Sequence, residues 1–438
     1  MIARIFRLAD HATSPRTEIV GGITTFVTMA YIMVVNPAIL AAAGIPTGPS
    51  TTATILVAAA GSILMGVWAN RPIAVAPYMG ENAFIAFGLA ALGISWQQRL
   101  GAVFVGGALL LVVTLLGLRS WLARAISRSL KMSFAAGIGL FLAFIGLVET
   151  GIVVRGDAVP VRVGDMRSRE VLLAIGGFVV IMLLIHRRVR GGVLLGIVAT
   201  ALAGSLLGAG SAPRGVMALP FTGPYSLAPI ALQLDIPGVL RLAFLPILLT
   251  LFLMSLLDTL GTLVGVGAAG EMLDRDGNLP QIERPMTVDA IACMLSGLVG
   301  TSTSGAYIES ATGIREGART GLAAVTTGIL FALSLFFLPL LEPLQQLRYA
   351  YGPALIAVGV LMVEPIRRID FEDLTELVPA FATIVMMAFT YNIANGLTAG
   401  LVLHPLMKAL AGRWREITPG GAVLALLCGV YYAFGLPH

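Results

Sequence analysis

Ile73-Ala-Val-Ala-Pro-Tyr-Met-Gly-Glu-Asn-Ala-Phe-Ile-Ala-Phe87 is apolar enough for a bilayer but too broken to cross one as a plain helix. Pro77 and Gly80 interrupt it, and a residue before proline is pushed towards extended backbone. A second stretch, Gly300-Thr-Ser-Thr-Ser-Gly-Ala-Tyr-Ile-Glu-Ser-Ala-Thr-Gly313, is rich in Ser, Thr and Gly and has no helix-forming run before Ala306. Each reads as an extended half followed by a half-helix. Extended backbone at membrane depth persists only where it is buried in protein or lines a cavity, because lipid offers it no hydrogen bonds. The expectation is that the two stretches pair, satisfy each other's backbone, and aim two helix N-termini at one midplane site. Two re-entrant loops without a ligand are the plainer alternative.

The rest of the chain is membrane-like. Of its 438 residues 57% are hydrophobic and only 12% charged, against about 25% charged in a soluble domain. A bilayer core takes about 20 apolar residues per helix. Runs near that length lie at Ile19–Ala42, Thr52–Trp68, Leu100–Leu118, Met132–Val148, Val171–Ile185, Gly192–Leu207, Leu242–Ala269, Val288–Gly300, Gly321–Leu341, Gly352–Val363, Leu374–Thr390 and Ile393–Leu406. With the two broken stretches as segments 3 and 10, this predicts an all-α polytopic membrane protein of 14 segments with short strands in segments 3 and 10. A last run, 421–436, is short for a span and reads as an interfacial or packed terminal helix.

With the N-terminus inside, the inner loops gather most of the 28 basic residues, among them Arg119, Arg124 and Arg275, while Arg214 falls outside. This positive-inside bias puts both termini in the cytoplasm. It also explains the high pI better than nucleic-acid binding does. The N-terminal stretch MIARIFRLADHATSPRTE has no signal-peptide core, so the first span is expected to act as an uncleaved insertion signal. Cys293 and Cys428 sit in apolar surroundings and read as small buried hydrophobes. The four histidines are scattered without metal-ligand spacing, and no nucleophile–base constellation stands out. No metal, no cofactor beyond a coupling proton, and no enzyme activity are expected.

The chain also repeats itself. Arg99-Leu-Gly-Ala-Val opens segment 4 and Arg319-Thr-Gly-Leu-Ala-Ala-Val opens segment 11. Phe144-Ile-Gly-Leu-Val-Glu149 and Val358-Gly-Val-Leu-Met-Val-Glu364 end segments 5 and 12; Gly191-Gly-Val-Leu-Leu-Gly196 and Asn395-Gly-Leu-Thr-Ala-Gly400 open segments 7 and 14. The order is kept, and 7 segments per unit force the two copies to insert with opposite orientation. Inverted repeats are the architecture of secondary transporters.

Three carboxylates, Glu81, Asp258 and Glu309, lie inside apolar segments, where acids are costly and are functional candidates. Asp258 is mid-span, with Thr262 one turn on; a structural hydrogen bond to a neighbouring helix is its bland reading. Glu309 begins the second half-helix, where simple capping is the bland reading. Asn82 offers a donor and an acceptor to a heterocycle edge, or serves as inter-helix glue. Glu81 faces the cavity as an extra acceptor or proton site, or else caps its half-helix or pairs with an Arg. The candidate substrate-binding set is Asn82, Glu81, Asp258, Glu309, Tyr307 and Thr262, with Asp258 and Glu309 as proton-coupling residues. Gly265-Val-Gly-Ala-Ala-Gly270, followed by Asp289, fits a dinucleotide pattern, but no strand precedes it and helix packing explains it better. Asn36-Pro37 reads as a kink.

At these motifs the chain resembles the second nucleobase–cation symporter family (nucleobase/ascorbate transporters), in its AzgA-like purine permease branch. The carriers are Thr17–Pro37, Ala76–Phe84, Asp258-Thr-Leu-Gly-Thr262, Gly300-Thr-Ser-Thr-Ser304, Ile308-Glu-Ser310 and Arg319-Thr-Gly-Leu322. The resemblance implies two inverted repeats of 7 segments, a core domain (19–118 and 242–341) and a gate domain (119–208 and 342–411). Around them lie the cytoplasmic N-terminus 1–18, an external connection 209–241 and the C-terminal hydrophobic helix and tail 412–438. It implies a symporter in the inner membrane that imports hypoxanthine, guanine or adenine with protons, and a homodimer is the expected assembly. Its binding acids match Asp258 and Glu309, and its segment-3 Asn matches Asn82. One departure is that the usual branch motif has Gly and Leu where this chain has Tyr78 and Glu81. A uracil or xanthine carrier is the alternative, or an anion carrier or passive channel of the same fold; acids at the half-helix starts argue against an anion.

Overall fold

The computed structural model describes residues 2–90, 92–118, 121, 125–210, 213, 215–273 and 279–434. Arg119, Arg124, Arg214 and Arg275 of the charge partition, and the last two residues of the 421–436 run, lie outside the described residues. The first rod is α1 (Pro15–Met29) and α2 (Ile32–Ala42), interrupted at Ala30–Tyr31. Ser14 starts it by accepting from the Thr17 amide, with Pro15 in the first turn. Then come α3 (Thr47–Leu64), β1 (Val75–Pro77), α4 (Met79–Ala83), α5 (Trp96–Leu115) and α6 (Arg128–Glu149). A surface hairpin, β2 (Val153–Arg155) and β3 (Val161–Val163), leads to α7 (Arg169–His186) and α8 (Gly192–Leu206). The second half holds α9 (Leu245–Ala269), α10 (Glu283–Val299), β4 (Ser304–Ala306), α11 (Ser310–Arg315), α12 (Gly321–Ser334) and α13 (Leu338–Gln346). It ends with α14 (Arg348–Met362), α15 (Leu374–Phe389), α16 (Ile393–Leu410) and α17 (Pro419–Phe434).

Every expected segment has a helix, or a strand followed by a half-helix, at its place. Among the described residues 8 helical stretches are long and apolar enough to cross a membrane by length and composition. The terminal run forms α17, packed along α16. The surface hairpin β2–β3 was not anticipated.

Two groups of helices pack tightly. In one, α5 lies on α10, and α12 lies on α1 and α3. Small residues allow the approach: a Cβ on Gly297 would stand 2.8 Å from the Leu100 carbonyl oxygen. In the other, α6 lies on α14 and α15, and α7 on α14. That second group is fastened at one end by Lys408 on α16, which reaches Asp373 at 3.4 Å, Glu376 at 3.0 Å and Glu416 at 3.0 Å. Thr375 and Arg413 bond Asp373 and hold its carboxyl well below the usual carboxylate range.

Candidate functional site

β1 and β4 pair antiparallel, Val75 opposite Ala306, Ala76 opposite Gly305 and Pro77 opposite Ser304. The ladder continues beyond the strands, with the Tyr78 amide donating to the Thr303 carbonyl and the Tyr307 amide to the Ala74 carbonyl, each at 2.9 Å. Backbone left over is met by hydroxyls: Val75 donates to Ser62 Oγ at 2.9 Å and Ala74 to Ser310 Oγ at 3.0 Å. All six strand residues are buried. The two broken stretches therefore satisfy each other as the membrane requires, and α4 and α11 both begin beside this small sheet.

The far ends of the half-helices are treated alike. α4 runs on through a π-turn, Phe84–Gly88, and Arg99 Nη1 donates to the Ile85 and Ala86 carbonyls at 3.2 and 3.4 Å. At the end of α11, Arg319 Nη1 donates to the Ile314 and Ala318 carbonyls at 2.7 and 2.8 Å. A cation on terminal carbonyls satisfies orphan acceptors and opposes the negative end of the helix. These are the two arginines that head the matching repeat motifs, so each copy supplies its own cap.

One residue ties both crossings together, and sequence reasoning took it for part of a kink. Asn36 Oδ1 accepts from Asn82 Nδ2 at 2.9 Å and from Ser302 Oγ at 3.0 Å. Its Nδ2 donates to Thr54 Oγ1 at 2.7 Å and Thr301 Oγ1 at 2.9 Å. Pro37 lies inside α2, where proline frees the carbonyl four residues back. That carbonyl, of Met33, accepts from Gln345 Nε2 at 2.8 Å. The signal was present in the sequence as a full-strength amide within an apolar run; its partners were not.

The acids divide between the two crossings. Glu81 is wholly buried, and its Oε2 accepts from Ser255 Oγ at 3.0 Å. It neither caps α4 nor pairs with an arginine among the described residues. The Thr303 hydroxyl lies beside the same carboxyl, whose Oε1 is buried, and the buried Asn82 Oδ1 has no hydrogen-bond partner among the described residues. Asp258, one turn beyond Ser255 on α9, is half-buried, as is Thr262. Glu309 is also half-buried; it makes no capping bond to α11 and accepts from the Tyr31 hydroxyl at 2.6 Å. Tyr31 sits at the break between α1 and α2, a partner that no local sequence pattern assigns. Tyr307 is buried, and its hydroxyl lies beside that of Tyr31.

Asp289 on α10 is a fourth buried acid. Its Oδ2 accepts from the Tyr78 hydroxyl at 3.2 Å and the Ala306 amide at 3.1 Å, so it grips one residue of each crossing. The Tyr78 hydroxyl also meets Thr259 Oγ1 at 3.0 Å. The glycine pattern before Asp289 lies at the end of helix α9, as expected for packing. Among the described residues no group of three His, Cys, Asp or Glu is placed to hold a metal ion. Two surface clefts, one along α16 and α17 and one along α7 and α8, are lined by none of these site residues.

Residues 16–398 match the model of the permease family Xan_ur_permease. The chain belongs to this family. The permease is 41% identical over 431 residues to the adenine permease AdeQ of Escherichia coli (strain K12), covering 97% of this chain and 95% of that protein. It is 37% identical to the guanine/hypoxanthine permease PbuO of Bacillus subtilis (strain 168), over 97% of this chain and 98% of that protein. Among solved structures it is similar to the transmembrane domain of the cyanobacterial bicarbonate transporter BicA, with a TM-score of 0.64 at 18% identity, covering 88% of this chain and 97% of that one. That likeness concerns the fold alone. The resemblance drawn from the motifs and the fold class drawn from the broken segments both hold: this is a multi-pass helical membrane protein of the permease family.

Proposed function

We propose that this permease is a proton-coupled symporter that imports a purine-type nucleobase by alternating access. One observation carries the reading. The half-helices that follow the paired strands carry Glu81, Asn82 and Glu309, each packs against α9, which carries Asp258, and no basic side chain pairs with these acids among the described residues. Acceptors without counter-ions suit a neutral ring that donates N–H groups and repel an anion. Full-length similarity to permeases of adenine and of guanine/hypoxanthine supports the substrate class.

The helix groups support a core domain of segments 1–4 and 8–11, and a gate domain of segments 5–7 and 12–14, with 14 crossings and both termini in the cytoplasm. In this reading Asn82, Glu309, Tyr307 and Thr262 contact the base, and Asp258 and Glu309 exchange protons. Access runs past the later part of α9, where Gly261 and Gly265 are exposed, to Ile308 beside Glu309, itself 53% exposed.

The test is uptake of radiolabelled adenine, guanine, hypoxanthine, xanthine and uracil into proteoliposomes with an acidic exterior. Accumulation of a purine that a protonophore abolishes is the expected result. Uptake indifferent to the gradient removes the symport, and transport of none of the bases removes the substrate class. Asp258→Asn should uncouple uptake from the gradient with the fold intact. Glu309→Gln, which replaces an acceptor with a mixed donor–acceptor, should weaken base binding.

A further inference from the structure

The sequence reading leaves Glu81 open between an extra acceptor, a proton site and a structural group, and its surroundings are specific. Ser255 holds its Oε2 at 3.0 Å from α9, and Asp258 stands three residues further along that helix. Residues three apart share a helix face. α4 packs against α9 at this point, and the two carboxyls lie within electrostatic reach of each other. The other Glu81 oxygen, Oε1, is wholly buried, with no partner among the described residues beyond the Thr303 hydroxyl beside this carboxyl. The remaining titratable groups set about Glu81 are Asp289 and Cys293 from α10 and Tyr78 at the end of β1. None of them is a cation, and among the described residues no Lys, Arg or His forms an ion pair with Glu81 or Asp258.

We infer that Glu81 and Asp258 share one proton, so that the coupling site is this pair of carboxyls rather than Asp258 alone. Two carboxylates in a water-poor site without a counter-ion cannot both stay ionised. A proton on either carboxyl removes the repulsion between the two. Glu81 is then a positioning and proton-sharing residue. Glu309 differs: it stands alone on its half-helix and is held by the Tyr31 hydroxyl. Because Asp258 is half-buried and Glu81 wholly buried, the proton enters by way of Asp258 and is stored on Glu81.

The inference rests on the proposed symport, and the experiment separates the two. Uptake of the transported base into proteoliposomes is measured from about pH 5 to 8 for the wild type, Glu81→Gln, Asp258→Asn and the double variant, with base binding measured in parallel. Sharing predicts that the midpoint of the Glu81→Gln pH profile moves by about one unit or more, whatever the change in its base affinity. It also predicts that the double variant shows no pH response beyond that already lost in Asp258→Asn. A Glu81→Gln profile that superimposes on the wild type overturns the shared proton while leaving transport standing. A wild type that transports no base overturns the functional reading instead. Should Glu81→Gln fail to fold, Ser255→Ala removes only the hydroxyl that pins Glu81. It must move the midpoint in measurable degree, and an unmoved midpoint overturns the inference.

Discussion

The first crossing, Val75–Ala83, buries Glu81 and Asn82 completely, whereas the second, Ser304–Arg315, leaves Glu309 half-buried and Ile308 53% exposed. The devices that build them are nevertheless the same. Each strand is the other's partner, each half-helix starts beside that pair, and each ends on an arginine, Arg99 from the first turn of α5 and Arg319 from the loop before α12. What the repeat supplies is therefore the frame. What differs is the neighbour across from each half-helix. The first is pressed against α9 through Ser255, and the second faces the break at Tyr31 and the exposed glycines of α9. An inverted repeat with one crossing buried and the other partly exposed makes the two halves separately testable.

The largest effect should come from the residue that belongs to both crossings. Asn36→Leu removes the partner of Asn82 Nδ2 and of Ser302 Oγ inside a buried region. A buried polar group left unsatisfied costs about 1–3 kcal/mol. Purified Asn36→Leu should melt well below the wild type and show no measurable base uptake. Wild-type melting and uptake would mean that the crossings hold without this hub, and that the frame is the strand pair alone.

A middle-sized effect should separate the halves. Arg99 is buried and Arg319 is half-buried, although both cap a half-helix. Water can replace a lost guanidinium only where it can enter. Arg99→Ala should therefore lower the melting temperature more than Arg319→Ala, whose orphan carbonyls cost about 1 kcal/mol or less. Equal losses would break the claim that the second crossing is the more exposed one.

How much of this was legible follows from range. The extended halves could be read because Pro77, Gly80 and the Ser/Thr/Gly run act locally on backbone. Their pairing could be read because lipid leaves an extended segment no other partner. The arginine caps were visible only as repeat motifs, since a sequence match does not say which carbonyls a guanidinium meets. Tyr31 with Glu309, Asn36 with Ser302, Asp289 with Tyr78 and Gln345 with Met33 were not legible at all. Each joins residues on different elements far apart in sequence, and no local pattern encodes such a pair. Asn36 shows the limit well: its polarity in an apolar helix was plain, but Pro37 offered a sufficient local explanation and hid the hub.

The smallest expected effect concerns the strand pair itself. Ala76 and Gly305 face each other in the ladder, so the two strands differ by one methyl at the matching position. A Cβ built on Gly305 would stand 2.1 Å from the Tyr78 hydroxyl oxygen, too close for any real contact. The obstacle is the tip of a side chain rather than backbone, so Gly305→Ala should shift the Tyr78 ring and leave the ladder in register. The cost is the hydroxyl's bonds to Thr259 and Asp289, about 1 kcal/mol for each ordinary hydrogen bond. Tyr78→Phe gives up those bonds without the clash, so it should lower the melting temperature by a similar small amount. Adding Gly305→Ala to it should then cost less than Gly305→Ala alone, because the nearest colliding atom is gone and only the ring carbons Cζ and Cε2, at 2.5 and 2.8 Å from the new Cβ, must yield. Independent, additive losses in the double variant would show that Gly305 is needed for the strand backbone rather than for the tyrosine. The second strand would then be as intolerant as the first, and the difference between the crossings would lie entirely in their half-helices.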